Sequence, residues 1–248
     1  MGISVIVLTQ NSADTLEKTL ASVSFCDEII VIDDHSTDTS AEIAKEHGAI
    51  VYTRALGGDF SKQRNFGLSK ATCEWVLFVD SDEVVSSELR EEIAQAIQSV
   101  DVNGFFLRRQ DILWGRELLH GETEKVRLLR LARAGKGKWQ RPVHEVWDVT
   151  GAVGTLTHAL HHTPHPSVSH FLADINTYST INAQYFFEQK TRVSVFHIVA
   201  YPTAKFIQNY IVHQGFLDGM PGMVVALMMS FHSFLTRAKL WQLYQKRG

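Results

Sequence analysis

Within the first hundred residues, short apolar runs alternate with segments of helical periodicity, and that alternation leaves few folds open. Ile3-Ser4-Val5-Ile6-Val7-Leu8, Glu28-Ile29-Ile30-Val31-Ile32, Ile50-Val51-Tyr52 and Trp75-Val76-Leu77-Phe78-Val79 read as strands. Between the first two lies a helix carrying Leu16, Leu20 and Val23 at helical spacing, capped by Asn11 or Ser12. A second helix has a Thr39/Glu42 capping box and stops at Gly48, a third runs from Ser61 to Lys70, and a fourth covers Ser87 to Ser99. Such a chain predicts an α/β fold: a mostly parallel sheet, right-handed crossovers and helices on its faces.

Ligands of such sheets bind at the carboxyl ends of the strands. Two acidic clusters sit there, Asp33-Asp34 after the second strand and Asp80-Ser81-Asp82-Glu83 after the fourth. Buried carboxylates are costly unless something positive compensates them. Mg²⁺ or Mn²⁺ bridging carboxylates to phosphate oxygens is one solution. An Asp-x-Asp alone is also ordinary turn chemistry, and Asp33-Asp34 could simply cap a helix. Two clusters on one rim describe a site.

After residue 100 the pattern is less regular. Phe105-Phe106-Leu107 and Val126 to Leu131 read as strands, with a turn at Trp114-Gly115-Arg116, and helical periodicity returns from Phe171. No repeat or low-complexity linker marks a boundary before about residue 200. The expected division is therefore residues 1–200, in halves 1–100 and 101–200, followed by an extension over 201–248. Two cysteines, Cys26 and Cys73, rule out a disulfide framework and a cysteine-based metal centre, and a reducing cytoplasm is the expected setting. The N-terminus enters a strand at once, so no signal peptide is expected.

These residues resemble the inverting glycosyltransferases of family 2, which have the GT-A fold. The resemblance rests on the first strand with Thr9-Gln10-Asn11, the Val31-Ile32-Asp33-Asp34-x-Ser36-Thr37-Asp38 segment, Arg64-Asn65-x-Gly67 and Asp80-Ser81-Asp82-Glu83, in that family's order. Val143-His144-Glu145, His162 ahead of Phe171-Leu172 and Asn176, and Gly215-Phe216-Leu217-Asp218-Gly219 extend it to a group similar to bacterial lipopolysaccharide-core glucosyltransferases.

The resemblance implies a UDP-sugar donor, a glycan or glycolipid acceptor, no nucleic acid, and Mg²⁺ or Mn²⁺ as cofactor. A carboxylate at the second strand end, Asp33 or Asp34, suits the ring N–H of uracil, and the family favours Asp33, with the Thr9 to Asn11 loop closing on the nucleotide. Arg64 would neutralise diphosphate or hold Asp80; the alternative is a solvated helix arginine. Asp82 is the expected direct metal ligand, and Asp80, next to Ser81, would act on the ribose or on the metal through water. Glu83 is expected to support the others.

Six of the twelve histidines fall between His144 and His170. They do not form a zinc-protease motif, because Asp148 stands where its second histidine should be. Spacing to Phe171 and Asn176 selects His162 as a third metal ligand. Inverting transfer also needs a base for the acceptor hydroxyl, and Glu145 is the candidate. Two further readings fit the same residues. One is a polyprenyl-phosphate glycosyltransferase, whose phosphate nucleophile would not need Glu145. The other is a nucleotide-sugar-binding module without catalysis.

From Met220 to Leu235 the chain is almost wholly apolar, but sixteen residues interrupted by Pro221 and Gly222 fall short of the ~20 a spanning helix needs. Residues 203–248 carry Lys205, Arg237, Lys239, Lys246 and Arg247 against Asp218 alone, a net of +4. An interfacial helix on an anionic membrane surface fits both properties, with a core helix or a homo-oligomer contact as alternatives. The expected location is the inner face of the cytoplasmic membrane, as a peripheral protein.

Overall fold

A computed structural model describes residues 1–123, 126–142 and 145–246. Two compact units result: residues 1–109 with 127–162, and residues 110–126 with 163–248. This division differs from the expected 1–200 and 201–248, because residues 163–200 join the C-terminal helices and not the sheet.

The first unit alternates β1 (Ile3–Thr9), α1 (Ala13–Ser22), β2 (Glu28–Asp33), α2 (Ser40–Glu46), β3 (Ile50–Thr53), α3 (Phe60–Leu68), β4 (Trp75–Asp80), β5 (Glu83–Val85) and α4 (Ser87–Ala96). The chain continues through β6 (Gly104–Leu113), β7 (Arg116–Glu117), β8 (Arg127–Arg133), β9 (Gly137–Gln140), β10 (Val146–Val149) and β11 (Val153–His162). The main sheet has the order β3-β2-β1-β4-β8-β6-β11-β5. Its first four strands are parallel, as predicted. Beyond β4, the β4–β8, β8–β6 and β11–β5 pairs are antiparallel. The sheet is therefore parallel in the half that carries the acidic strand ends and mixed as a whole.

Both faces of the parallel half are covered, which is why its strands are apolar at successive positions. Val5, Val7, Leu77 and Val79 pack on one side with Leu16, Leu20 and Leu89. Ile6, Ile30, Ile32 and Phe78 pack on the other with Trp139 and Trp147 of the β9–β10 hairpin. Gly67 lets α3 lie directly on β1, since a Cβ there would stand 2.6 Å from Ile6 Cγ2. The predicted capping box does not form. Thr39 is the cap residue of α2 but makes no side-chain cap bond. Asp38 takes over instead, its carboxylate accepting from the Ser40 and Ala13 amides at 3.0 Å each.

In the second unit Trp114 and Gly115 both have positive φ, 52° and 79°, the signature of a tight β6–β7 hairpin turn. Its helices are α5 (Val168–Glu188), α6 (Val195–Phe206) and α7 (Gly219–Gln245), with a π-helical stretch (Ile207–Val212) and a 3₁₀ turn (Gly215–Asp218) between the last two. The Gly215 to Gly219 segment is structural. A Cβ on Gly215 would meet the Asn209 carbonyl at 2.7 Å, and buried Asp218 accepts from the His120 amide at 2.9 Å and from its ring at 2.8 Å.

Contrary to the expectation from sequence, Pro221 and Gly222 do not interrupt the apolar tail. Both lie in the first turn of the 27-residue α7, where proline is tolerated. Gly215–Gln245 is consequently long and apolar enough to cross a membrane by length and composition, with 17% of its most apolar window buried. Its basic residues are largely engaged within the unit. Lys239 Nζ donates to Asn176, Ser179 and Thr180 of α5 within 2.8 Å, Arg237 lies 4.0 Å over the Tyr201 ring, and Lys205 pairs with Glu122 at 2.8 Å. Lys246 remains exposed, and Arg247 lies outside the described residues.

Candidate functional site

The carboxyl end of β4 gathers the charged groups of the first unit. Asp80 is the last residue of that strand, and both its oxygens are committed: Oδ1 to Arg64 Nη2 at 2.8 Å and Oδ2 to Arg130 Nη2 at 2.6 Å. Arg64, on α3, also donates from Nε to Glu145 Oε1 at 2.8 Å. The chain Glu145–Arg64–Asp80–Arg130 thus joins the base candidate to the acidic turn through a guanidinium only 3% exposed. His144, next to Glu145, lies outside the described residues.

Two buried arginines survive here for physical reasons. Arg64 sits 4.8 Å over the Trp139 ring and 5.6 Å over Phe78, and Arg130 sits 5.9 Å over Trp139. Trp139 is in turn stacked on Trp147. Ring faces and carboxylates replace the water these cations lose. Arg64 Nη1 and Arg130 Nε and Nη1 are buried donors without a hydrogen-bond partner among the described residues. Burial opposes ionisation of Asp80, but Arg130 and then Arg64 outweigh it and hold its carboxyl well below the usual range. Burial, reinforced by the Asp80 charge, pushes the Glu83 carboxyl up. Glu83 is completely buried and accepts the Asp80 amide at 2.9 Å, so it shapes the turn.

Asp82 is more exposed, and its Oδ2 lies 3.3 Å from His162 Nε2. Strand register explains this meeting across eighty residues. β11 runs antiparallel to β5, with His162 opposite Glu83 and His161 opposite Val84, so His162 is the histidine beside Asp82. An imidazole nitrogen and a carboxylate oxygen at this separation fit a divalent cation, and the nitrogen suits Mn²⁺ better than Mg²⁺. Asp80, with its oxygens on two arginines, is no direct ligand in this arrangement. Ser81 stitches the turn to α1: its hydroxyl meets Ser12 Oγ at 2.9 Å and its carbonyl accepts from Thr19 at 3.0 Å.

At the end of β2, Asp33 is buried and both its oxygens lie 3.2 Å from the Ser36 amide. Asp34 accepts the Leu56 amide at 2.9 Å and so fixes the loop after β3. Neither caps α2. Asn11, with φ of 49°, accepts from the Thr37 amide at 2.8 Å and clasps the loop after β1 to the loop after β2. Thr9 Oγ1 is buried without a hydrogen-bond partner among the described residues. The Arg64-Asn65-x-Gly67 motif divides its work: Arg64 enters the charged network, Asn65 exchanges two hydrogen bonds with the Trp139 backbone, and Gly67 seats the helix. Sequence reasoning missed Arg130 and Trp139. An arginine inside the otherwise apolar strand Leu128-Leu129-Arg130-Leu131 was the available signal.

A sheet of this order, acidic at the carboxyl ends of its parallel strands, has the GT-A fold. The chain belongs to glycosyl transferase family 2, whose family model matches residues 4–151. It is 26% identical over 249 residues to the lipopolysaccharide core biosynthesis glycosyltransferase LpsC of Rhizobium meliloti, covering 97% of this chain and 92% of LpsC. An uncharacterized glycosyltransferase of Rickettsia felis is also 26% identical, over 96% of this chain and 89% of its own. Among solved structures, S. aureus TarS 1-349 superposes with a TM-score of 0.53 at 18% identity, covering 99% of this chain and 92% of that one. TarS has also been solved with UDP-GlcNAc.

Proposed function

We propose that this glycosyltransferase moves a hexose, with glucose the first candidate, from a UDP-sugar to a glycan or glycolipid acceptor such as lipopolysaccharide core. Transfer would invert the anomeric carbon and use a divalent cation at Asp82 and His162. The observation that carries this reading is the convergence at the end of β4 of the Asp82–His162 pair and the Glu145–Arg64–Asp80–Arg130 chain. LpsC, named for lipopolysaccharide core biosynthesis, supports the acceptor class.

Each residue has a role in that chemistry. The Asp33 carboxylate accepts the uracil ring N–H, with the Thr9 to Asn11 loop beside the nucleotide and Asp34 bracing the loop opposite. Asp80 and Ser81 hold the donor, with Arg64 and Arg130 fixing Asp80 and offering spare N–H groups to anionic oxygens. The bound cation would neutralise charge that develops on the departing diphosphate. Arg64 fixes Glu145 through Oε1, which leaves Oε2 to take the acceptor hydroxyl's proton as the new glycosidic bond forms.

The test is a donor screen: the protein with Mn²⁺ and a panel of UDP-, GDP- and TDP-sugars, with release of free nucleoside diphosphate as readout. Release confined to UDP-glucose supports the reading. No release with any donor, acceptor present, overturns it.

A peripheral position at the inner face of the cytoplasmic membrane rests on apolar surface rather than on charge. Val199, Leu227, Phe231 and Phe234 of α6 and α7 are exposed and line an apolar groove of about 550 Å³, and Phe196 of α6 is exposed as well. Three of the tail's cations are already paired or stacked, so vesicle binding should depend only weakly on salt. Phe196→Ser with Phe231→Ser should abolish co-sedimentation with vesicles, and unchanged sedimentation of that variant refutes the assignment. Removing residues 203–248 is a poor test, because Lys239 anchors α5 and the deletion would strip the core of its unit.

A further inference from the structure

His165, His170 and Asp174 take no part in the chemistry above, yet their ligand atoms all lie within 4.8 Å of one another. We propose that these three side chains form a second metal site, for a borderline transition ion such as Zn²⁺, at the start of α5. Asp174 Oδ2 lies 2.9 Å from His165 Nδ1 and 3.0 Å from His170 Nδ1. Around a tetrahedral ion with bonds of about 2.0–2.2 Å, ligand atoms stand roughly 3.3–3.5 Å apart, so small rotations of three side chains admit it.

The local structure prepares this set. His170 and Asp174 are four residues apart on one helix and therefore share a face. His165 arrives from the loop before α5 with a left-handed backbone, φ 55°. Its ring stacks on Phe171 with centroids 3.6 Å apart, and its carbonyl accepts from Trp114 Nε1 at 3.1 Å. Those contacts hold the His165 ring independently of any ion. The three side chains are 21%, 56% and 31% exposed, which leaves a fourth position open to water.

A carboxylate only accepts, so the His165 ring that bonds Asp174 at 2.9 Å carries a proton on Nδ1, and His170 Nδ1 lies 3.0 Å from the same oxygen. A dication would take the Nδ1 lone pair of each ring, with the proton of a neutral ring moving to Nε2. Two nitrogens and one oxygen select Zn²⁺, Co²⁺ or Ni²⁺ over Mg²⁺, which keeps to oxygen ligands. A bound ion would clasp residues 163–167 to α5, immediately after His162 in the chain.

The experiment uses the untagged full-length protein, titrated calorimetrically with Zn²⁺ in excess Mg²⁺, beside His170→Gln, Asp174→Asn and Asp82→Asn. The expected result is Zn²⁺ binding weakened at least ~10-fold in His170→Gln and in Asp174→Asn and retained in Asp82→Asn. Zinc absorption-edge spectroscopy of the wild-type protein should count two imidazoles, which needs no variant to fold. Absence of Zn²⁺ binding, its survival in both α5 variants, or a count of one imidazole overturns the proposal. Loss in Asp82→Asn alone assigns the ion to the Asp82–His162 pair and also overturns it. The donor screen succeeds or fails independently of this site.

Discussion

Replacing Arg64 by Met should cost stability because this arginine pairs with both Glu145 and Asp80. Met keeps most of the side-chain volume over Trp139 and removes two charge-assisted hydrogen bonds, both at 2.8 Å. Removing one partner of a buried ion pair costs ~3–5 kcal/mol. Asp80 keeps Arg130 at 2.6 Å and is 30% exposed in its side chain, which places the loss near ~3 kcal/mol, the low end of that range. Neutralising Glu145 as well removes the charge that Arg64→Met strands. The double variant Arg64→Met/Glu145→Gln should therefore recover about 1–3 kcal/mol relative to the sum of the singles. Urea unfolding of the four proteins, followed by tryptophan fluorescence, reads both quantities as midpoint shifts at constant slope.

The same substitution has a pH signature. A carboxyl held below its ordinary value contributes stability that is full above that value and is lost as pH falls through the depressed one. Asp80 in the wild-type protein should therefore keep its contribution to strongly acidic pH, while Arg64→Met should begin to lose it at higher pH. An Arg64→Met protein within ~1 kcal/mol of wild type, or single losses additive within ~0.5 kcal/mol, would refute a shared buried cation.

Glu145→Gln should lower transfer by ~10²–10⁴-fold while the KM for the sugar nucleotide barely moves; near-normal turnover in steady-state assays removes Glu145 from the mechanism. If turnover survives only with a phosphate acceptor, polyprenyl phosphate becomes the better substrate class. Glu83 works in the opposite pH direction from Asp80: its raised pKa makes its contribution full below the ordinary carboxylate value and lost as pH rises through the raised one. Glu83→Gln should thus gain stability relative to wild type as pH rises above the ordinary carboxylate range, and a pH-independent gap in thermal midpoints would sink that account. Gly67→Ala should destabilise by ~1–3 kcal/mol through the clash with Ile6, less up to ~1 kcal/mol gained in helix propensity. Unfolding at wild-type urea concentration would show that α3 can lift from β1 freely.

Most of the parallel half was legible because its signals are local. Apolar runs of strand length, amphipathic helices between them and acidic residues after β2 and β4 are all written within a few residues of one another. In the antiparallel half the strands at residues 105–107 and within 126–131 were legible, but β11 and the pairing were not, since the register of β8, β6 and β11 is set by distant strands. The capping box at Thr39 did not form for a related reason: the start of α2 is held by Asp38, which accepts from the Ser40 amide and from the Ala13 amide of α1, a partner twenty-five residues away. The tail was misjudged in the same way, because helix length depends on whether Pro221 falls in a first turn or an interior.

The composition and local order of the chain by themselves determined an α/β sheet with two acidic strand ends, and hence where a ligand would sit. Only the tertiary structure decided which charges meet. Arg64 turned out to bridge Asp80 and Glu145, Arg130 to occupy the other Asp80 oxygen, and His162 to face Asp82 through the β5–β11 register. The reason is physical: strand and helix formation follow from neighbours in sequence, whereas an ion pair follows from burial and register, which no stretch of sequence contains alone.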